Sequence, residues 1–209
     1  MKELLEEYSR KRKEIKERLR WFDSFHKKSN RDIFSELCFC ILTPQAKAVV
    51  CDRAVAEIEK RGLFFKGPAK DIRACLKGVR FPNKKAEYLI AARKLFKNGG
   101  MARIKDKVDT KDLFKIREWL VQNVKGFGYK EASHFLRNIG RGRGLAILDR
   151  HILKNLKRYG IIRDIPASLT EKDYIEIEKR MKLFFEKLHI PVEEIDLLFW
   201  SRETGMIFK

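Results

Sequence analysis

Residues that staple or interrupt a fold are scarce in this chain, which has four cysteines, five prolines and twelve glycines among 209 residues. Cys38, Cys40, Cys51 and Cys75 all fall in the first half, in or beside apolar helical pattern. Their spacing matches no zinc or iron–sulfur template, so buried free thiols in a reducing compartment are expected, with no metal site and no cofactor. Long apolar runs are absent too: the longest, Leu37 to Leu42, is far short of the ~20 residues that span a bilayer. Met1 to Glu7 carries charge where a signal peptide needs its apolar core, so an intracellular protein without a targeting signal or membrane contact is expected. Acid is the scarcer charge, with 29 Asp and Glu against 48 Lys and Arg and a net charge of +19. An excess of this size points to a polyanionic partner, and nucleic acid is the most economical one.

Apolar residues are plentiful. They make up 44% of the chain and include fifteen Phe and three Trp, enough for an ordinary core, so disorder is excluded. At roughly 150 residues per domain, the length fits one domain or two small halves sharing a cleft. Helical periodicity recurs from end to end and strand alternation is nearly absent, so the fold class is all-α. One helix is predicted over 3–22, with Leu4, Leu5, Tyr8, Ile15, Leu19 and Phe22 near one face. A second starts near Asp32 and runs to the break at Thr43-Pro44; a third has Ala46, Val49, Val50, Ala54 and Ile58 as its stripe. Lys84 to Phe96 resumes helical spacing until Gly99-Gly100.

Residues 111–139 are the most informative. Leu113, Ile116, Leu120 and Val124 form a helical stripe, Lys125-Gly126-Phe127-Gly128 breaks it, and Ala132, Phe135, Leu136 and Ile139 form the next one. The pattern is helix, glycine-bounded hairpin, helix. Glycine admits tight or left-handed turns and lets a phosphate come close to the backbone, where the amides and dipole of a helix N-terminus can hold it. From Arg137 to Arg158 there are seven basic residues and one acid, Asp149, whereas the stretch from Glu171 onward is nearly balanced. Lys130, near the start of its helix, shares a face with Ser133, His134 and Arg137, opposite Ala132 and Phe135, and is predicted to point away from the core. Read alone it is a phosphate contact or a solvated side chain; basic neighbours and the helix N-terminus also favour its free amine, which is a nucleophile. Asp149 follows the apolar triplet Ala146-Ile147-Leu148 and reads as the N-cap of a helix carrying Ile152 and Leu156. As the only acid in a basic stretch it also suits stabilisation of a cationic sugar.

The passage from Lys125 to Gly140, followed by Ala146 to Leu153, resembles the helix-hairpin-helix DNA glycosylase superfamily, whose hairpin reads Gly, apolar, Gly, any residue, Lys. Within it, the archaeal-type 8-oxoguanine DNA glycosylase/AP lyases are most similar. Leu42 to Ala48 and Trp200 to Lys209 extend the resemblance over nearly the whole chain, and Arg80 to Tyr88 is similar to the superfamily's second, degenerate hairpin. The resemblance implies a single two-lobed glycosylase fold over 1–209, with the hairpin motif and Asp149 lining a cleft.

Its implied activity is excision of 8-oxoguanine from duplex DNA through a lysine Schiff base, followed by β-elimination of the strand. Lys130 is then the nucleophile and Asp149 the catalytic acid residue. Gly126, Gly128, His134 and Arg150 are expected on the DNA backbone, and Gln45 is expected to fill the gap left by the extruded nucleotide. Trp200, and Lys209 through its carboxylate, are expected at the base; Phe199 could stack there too, but aromatics at helical spacing more often belong to the core. The expected partner is duplex DNA with a damaged base, bound by a monomer. The rival readings are a non-catalytic helix-hairpin-helix DNA-binding module and a glycosylase for another damaged base. The related endonuclease III branch carries a four-cysteine iron–sulfur loop near its C-terminus, and no cysteine follows Cys75 here.

Overall fold

The computed structural model describes residues 1–98 and 101–208. In chain order its helices are α1 (Lys2–Phe25), α2 (Asn30–Leu42), α3 (Ala48–Lys60), α4 (Ala69–Cys75), α5 (Pro82–Phe96), α6 (Lys105–Val108), α7 (Leu113–Asn123), α8 (Tyr129–Asn138), α9 (Arg150–Arg158), α10 (Glu171–Glu186) and α11 (Val192–Thr204). Between α5 and α6, β1 (Lys97–Asn98) pairs antiparallel with β2 (Met101–Ala102), the one strand pairing among the described residues. The all-α expectation holds, and no described helix is long and apolar enough to cross a membrane.

Two starts lie earlier than periodicity predicts, because the first turn of a helix is chosen by capping chemistry rather than by an apolar stripe. Ser29 caps α2: its hydroxyl accepts from Asp32 N at 3.2 Å and the Asp32 carboxylate accepts from Ser29 N at 3.0 Å. The helix therefore begins at Asn30, not near Asp32. α5 begins at Pro82 rather than Lys84, since a proline ring presets the backbone for the first helical position. The break expected at Gly99-Gly100 lies outside the described residues.

The chain divides into two compact units, residues 25–135 and residues 1–24 with 136–209, and the boundary near residue 135 falls within α8. In the unit of residues 25–135, Ile33, Leu37, Phe39 and Leu42 of α2 are buried, and Phe34 meets the rings of Phe64, Phe65 and Phe96 at 5.1–6.4 Å. The hairpin helices are tied by Arg117 of α7, a buried guanidinium 5.5 Å from the Phe114 ring and 5.2 Å from that of Tyr129, which donates to Ser133 Oγ at 3.2 Å. All four cysteines are here, buried and free. Burial pushes the Cys38 thiol far up and that of Cys51 to about 11, so neither is a thiolate at neutral pH.

In the other unit, Leu4, Ile15 and Phe22 of α1 are buried, as are Met181 and Phe185 of α10 and Leu198 and Phe199 of α11. Leu145 to Leu148 is buried without being helical, so its backbone groups need partners. Two side chains of α10 supply them: Glu178 accepts from Ala146 N at 2.7 Å, while Tyr174 donates to Ala146 O at 2.8 Å and accepts from Leu148 N at 3.1 Å. That fixes the strip leading into Asp149.

Candidate active site

The hairpin is built from a four-residue turn. α7 ends at Asn123 with Val124 as its C-cap, and Phe127 N donates back to Val124 O at 3.1 Å. Gly126 sits at the third position with φ +89°, the left-handed region that other residues enter only at a cost. A β-carbon there would also lie 2.6 Å from the ring of Tyr88 on α5, so the close approach of α5 excludes any larger residue. Phe127 is buried, 6.3 Å from Phe135, and anchors the turn to α8. The same turn recurs just before the Arg80 to Tyr88 passage: Val79 N donates to Leu76 O at 3.1 Å across Gly78, whose φ is +79°.

Lys130 lies in the first turn of α8, where the leading amides have no partner within the helix. Its side chain is 23% exposed, and Nζ lies 3.7 Å from Glu131 Oε1. The other oxygen of Glu131 accepts from Gly128 N at 3.2 Å, half of a capping box three residues on from the cap. Sequence reasoning passed over Glu131, although that spacing was readable. It also passed over Lys85, whose burial and whose like charge with Lys130 hold its ammonium below the usual lysine range. Lys85 donates to the carbonyls of Leu42, at 2.6 Å, and Pro44, at 2.7 Å. Gln45, the next residue, is exposed and has φ +56°.

The rest of the face assigned to Lys130 is not open. Ser133 is fully buried, and His134 is buried with its ring 5.9 Å from that of Phe39. His134, expected on the DNA backbone, is thus largely enclosed by protein in this structure. Arg137 is buried as well, with Nη1 2.8 Å from Asp196 Oδ2 and its guanidinium over the Phe22 ring at 4.7 Å. Burial pushes the Asp196 carboxyl up to about 6, opposed by Arg137 and reinforced by the charges of Asp149 and Glu193. Arg137 thus leaves the basic cluster available to phosphates.

Asp149 caps α9 as expected, with Oδ1 accepting from Ile152 N at 2.8 Å and extended backbone at ψ 179°. The cap leaves Asp149 half-buried, and the adjacent Arg150 is exposed. Arg143, Lys157 and Arg158 pair with Asp23, Asp164 and Glu3, but the three cations are half or more exposed; such pairs are worth about 0–1 kcal/mol and yield readily to phosphate.

Of the two aromatics weighed for the base, Trp200 is half-exposed. Phe199 is fully buried, stacked on Tyr159 at 5.8 Å and edge-on to Phe185 at 5.9 Å. Withdrawing such a ring from the core would cost about 1.5–3 kcal/mol, so Phe199 is a core residue. Lys209 lies outside the described residues. Among the described residues no group of three His, Cys, Asp or Glu side chains is placed to hold a metal.

A family model described as Ogg-HhH, 8-oxoguanine DNA glycosylase, matches residues 15–190. The 8-oxoguanine DNA glycosylase/AP lyase of Fusobacterium nucleatum is 45% identical over 204 residues, covering 93% of this chain and 91% of that protein. The protein of the same name from Methanocaldococcus jannaschii is 43% identical over 198 residues, with 93% and 91% covered. Among solved structures, the M. jannaschii enzyme in complex with a 15mer DNA containing 8-oxoguanine superposes with a TM-score of 0.89 at 38% identity, all of both chains being covered. The Thermotoga maritima 8-oxoguanine DNA glycosylase gives 0.88 at 36% identity, covering 100% of this chain and 97% of that one. The glycine turn wedged against Tyr88, the lysine behind it and the aspartate cap occur in a chain matched along most of its length, and this chain belongs to the 8-oxoguanine DNA glycosylase family.

Proposed function

We propose that this chain excises 8-oxoguanine from duplex DNA and then nicks the strand at the resulting abasic site. The observation that carries the reading is Lys130, a half-buried amine in the first turn of α8 behind the glycine hairpin. The hairpin at Gly126 and Gly128, with exposed Arg150, holds backbone phosphates. The damaged nucleotide leaves the stack at a cost of a few kcal/mol, and Gln45 fills the gap. Trp200 and Lys209 contact the extruded base.

The Lys130 Nζ lone pair attacks C1′ while the bond from C1′ to the base breaks, and the base departs with that electron pair and takes up a proton. The Asp149 carboxylate offsets the positive charge that builds on the sugar, a contribution that oriented charge makes well in a site shielded from water. Loss of the amine proton and opening of the sugar ring give the Schiff base. Removal of a C2′ proton then expels the 3′ phosphate by β-elimination, and water releases the amine. The protein acts on DNA as a monomer inside the cell.

Borohydride trapping tests the reading. With duplex carrying 8-oxoguanine opposite cytosine, a reduced covalent adduct, free 8-oxoguanine and a nicked strand are expected. Binding without an adduct would make the chain a DNA-binding module, and release of a different base from a panel of lesions would reassign its substrate.

A further inference from the structure

We propose that Lys85 is a positioning residue for nucleotide extrusion, clamping the turn that presents Gln45. The inference rests on the reading of Gln45 as the gap-filling residue. Ala46 N donates to Thr43 O at 3.0 Å, closing a four-residue turn with Pro44 second and Gln45 third. That third position, at φ +56°, is one that glycine or asparagine ordinarily takes, and a larger residue there is strained. Such strain persists only where the surroundings hold it. The holding group is Lys85 Nζ, which reaches from α5 to the carbonyls on either side of Thr43, at 2.6 and 2.7 Å. Cys51 Sγ adds a weaker contact to Leu42 O at 3.2 Å.

Lys85 is 4% exposed, and burying an ammonium is costly where a methionine would fill the same space without penalty. Its hydrogen bonds go to main-chain oxygens at the C-terminal end of α2, which a cation suits. The clamp also works in either protonation state, because a neutral amine keeps two N–H donors for the two carbonyls. A side chain entering a duplex gap needs a backbone that does not yield, and Lys85 provides it without touching the substrate.

The test uses the full chain and four variants: Lys85→Met, Lys85→Gln, Gln45→Ala and Lys85→Met with Gln45→Ala. Single-turnover excision from an 8-oxoguanine duplex is followed together with the fluorescence of a 2-aminopurine beside the lesion, which reports unstacking. Lys85→Met and Gln45→Ala are each expected to slow excision about tenfold or more and to blunt the fluorescence rise. The double variant should be no slower than the slower single one, since both act through one element. Lys85→Gln, which keeps a donor for a carbonyl, should recover part of the loss. Borohydride trapping on a single-stranded oligonucleotide with an abasic site, where there is no gap to fill, should be slowed far less than duplex excision in Lys85→Met, and the persisting adduct also shows that the variant is folded. If Lys85→Met does not fold, Lys85→Gln against Gln45→Ala decides in the same way. Additive losses, an unaltered duplex rate, or equal slowing of single-strand trapping would overturn the proposal. Loss in Gln45→Ala with none in either Lys85 variant refutes the clamp alone, whereas no loss in Gln45→Ala refutes the gap-filling reading beneath it.

Discussion

The carboxylate of Glu131 lies 3.7 Å from Nζ of Lys130 while its other oxygen accepts the Gly128 amide, so one side chain borders the reactive nitrogen and closes the hairpin. The two functions are separable. Glu131→Gln keeps an acceptor for Gly128 N and loses the charge; Glu131→Ala loses both. We expect Glu131→Ala to lower stability by about 1 kcal/mol, in line with other lost caps, and Glu131→Gln to stay near wild type in urea denaturation. Equal losses in the two variants would mean that charge, not the cap, is what matters there.

Lys130→Gln should abolish base release, strand nicking and the borohydride adduct, with lesion binding largely kept. A neutral side chain of similar length fills the same space and has no amine to attack C1′. Turnover above a few percent of wild type would move the nucleophile elsewhere.

Asp149 both caps α9 and carries charge, and asparagine caps as well as aspartate. Asp149→Asn should therefore melt like the wild type yet excise base slower by about 10²-fold or more. Asp149→Ala should lose the same activity and also about 1 kcal/mol of stability. A folded, fully active Asp149→Asn would leave the residue as a cap only.

For the buried pair of Arg137 and Asp196, removing one member strands the other charge. Asp196→Leu is expected to cost about 3–5 kcal/mol, whereas Arg137→Met with Asp196→Leu should be close to neutral. Denaturant titration of the two single variants and the double distinguishes a costly pair from a stabilising one, for which the double would be as unstable as either single.

Glu7 supplies a pH test. Burial pushes its carboxyl up, but hydrogen bonding and charge from Arg202, with help from Lys11, outweigh that and hold it below its ordinary 4.5. A carboxylate with a lowered folded-state pKa adds stability above its unfolded value, and the gain disappears as pH falls through the folded one. The Tm difference between wild type and Glu7→Gln should be full at neutral pH and shrink steadily below about 4.5. A constant difference across that range would show that the pair is not ionised when folded.

How much of this was legible beforehand follows from the range of each interaction. The hairpin was readable because its determinants are neighbours in sequence: two apolar stripes at helical spacing, a turn that needs glycine at 126, and a lysine just inside the next helix. Asp149 was readable as a cap for the same reason. The helical wheel of α8 misled at Ser133, His134 and Arg137, because a wheel assumes one covered face. The boundary between the two units falls inside α8, so each end has its own cover, Phe39 against His134 in one unit and Asp196 against Arg137 in the other. Phe199 and Trp200 are adjacent, and nothing local says which ring the core takes. Lys85, one more charge in a basic sequence, is held by carbonyls 43 and 41 residues away. The sequence by itself determined the all-α class, the hairpin with its flanking helices and the chemistry its residues offer, since propensity, capping and turn geometry act over a few residues. Only the tertiary structure decided which polar groups are buried and with whom, because that depends on which helices pack together, and spacing along the chain does not encode it.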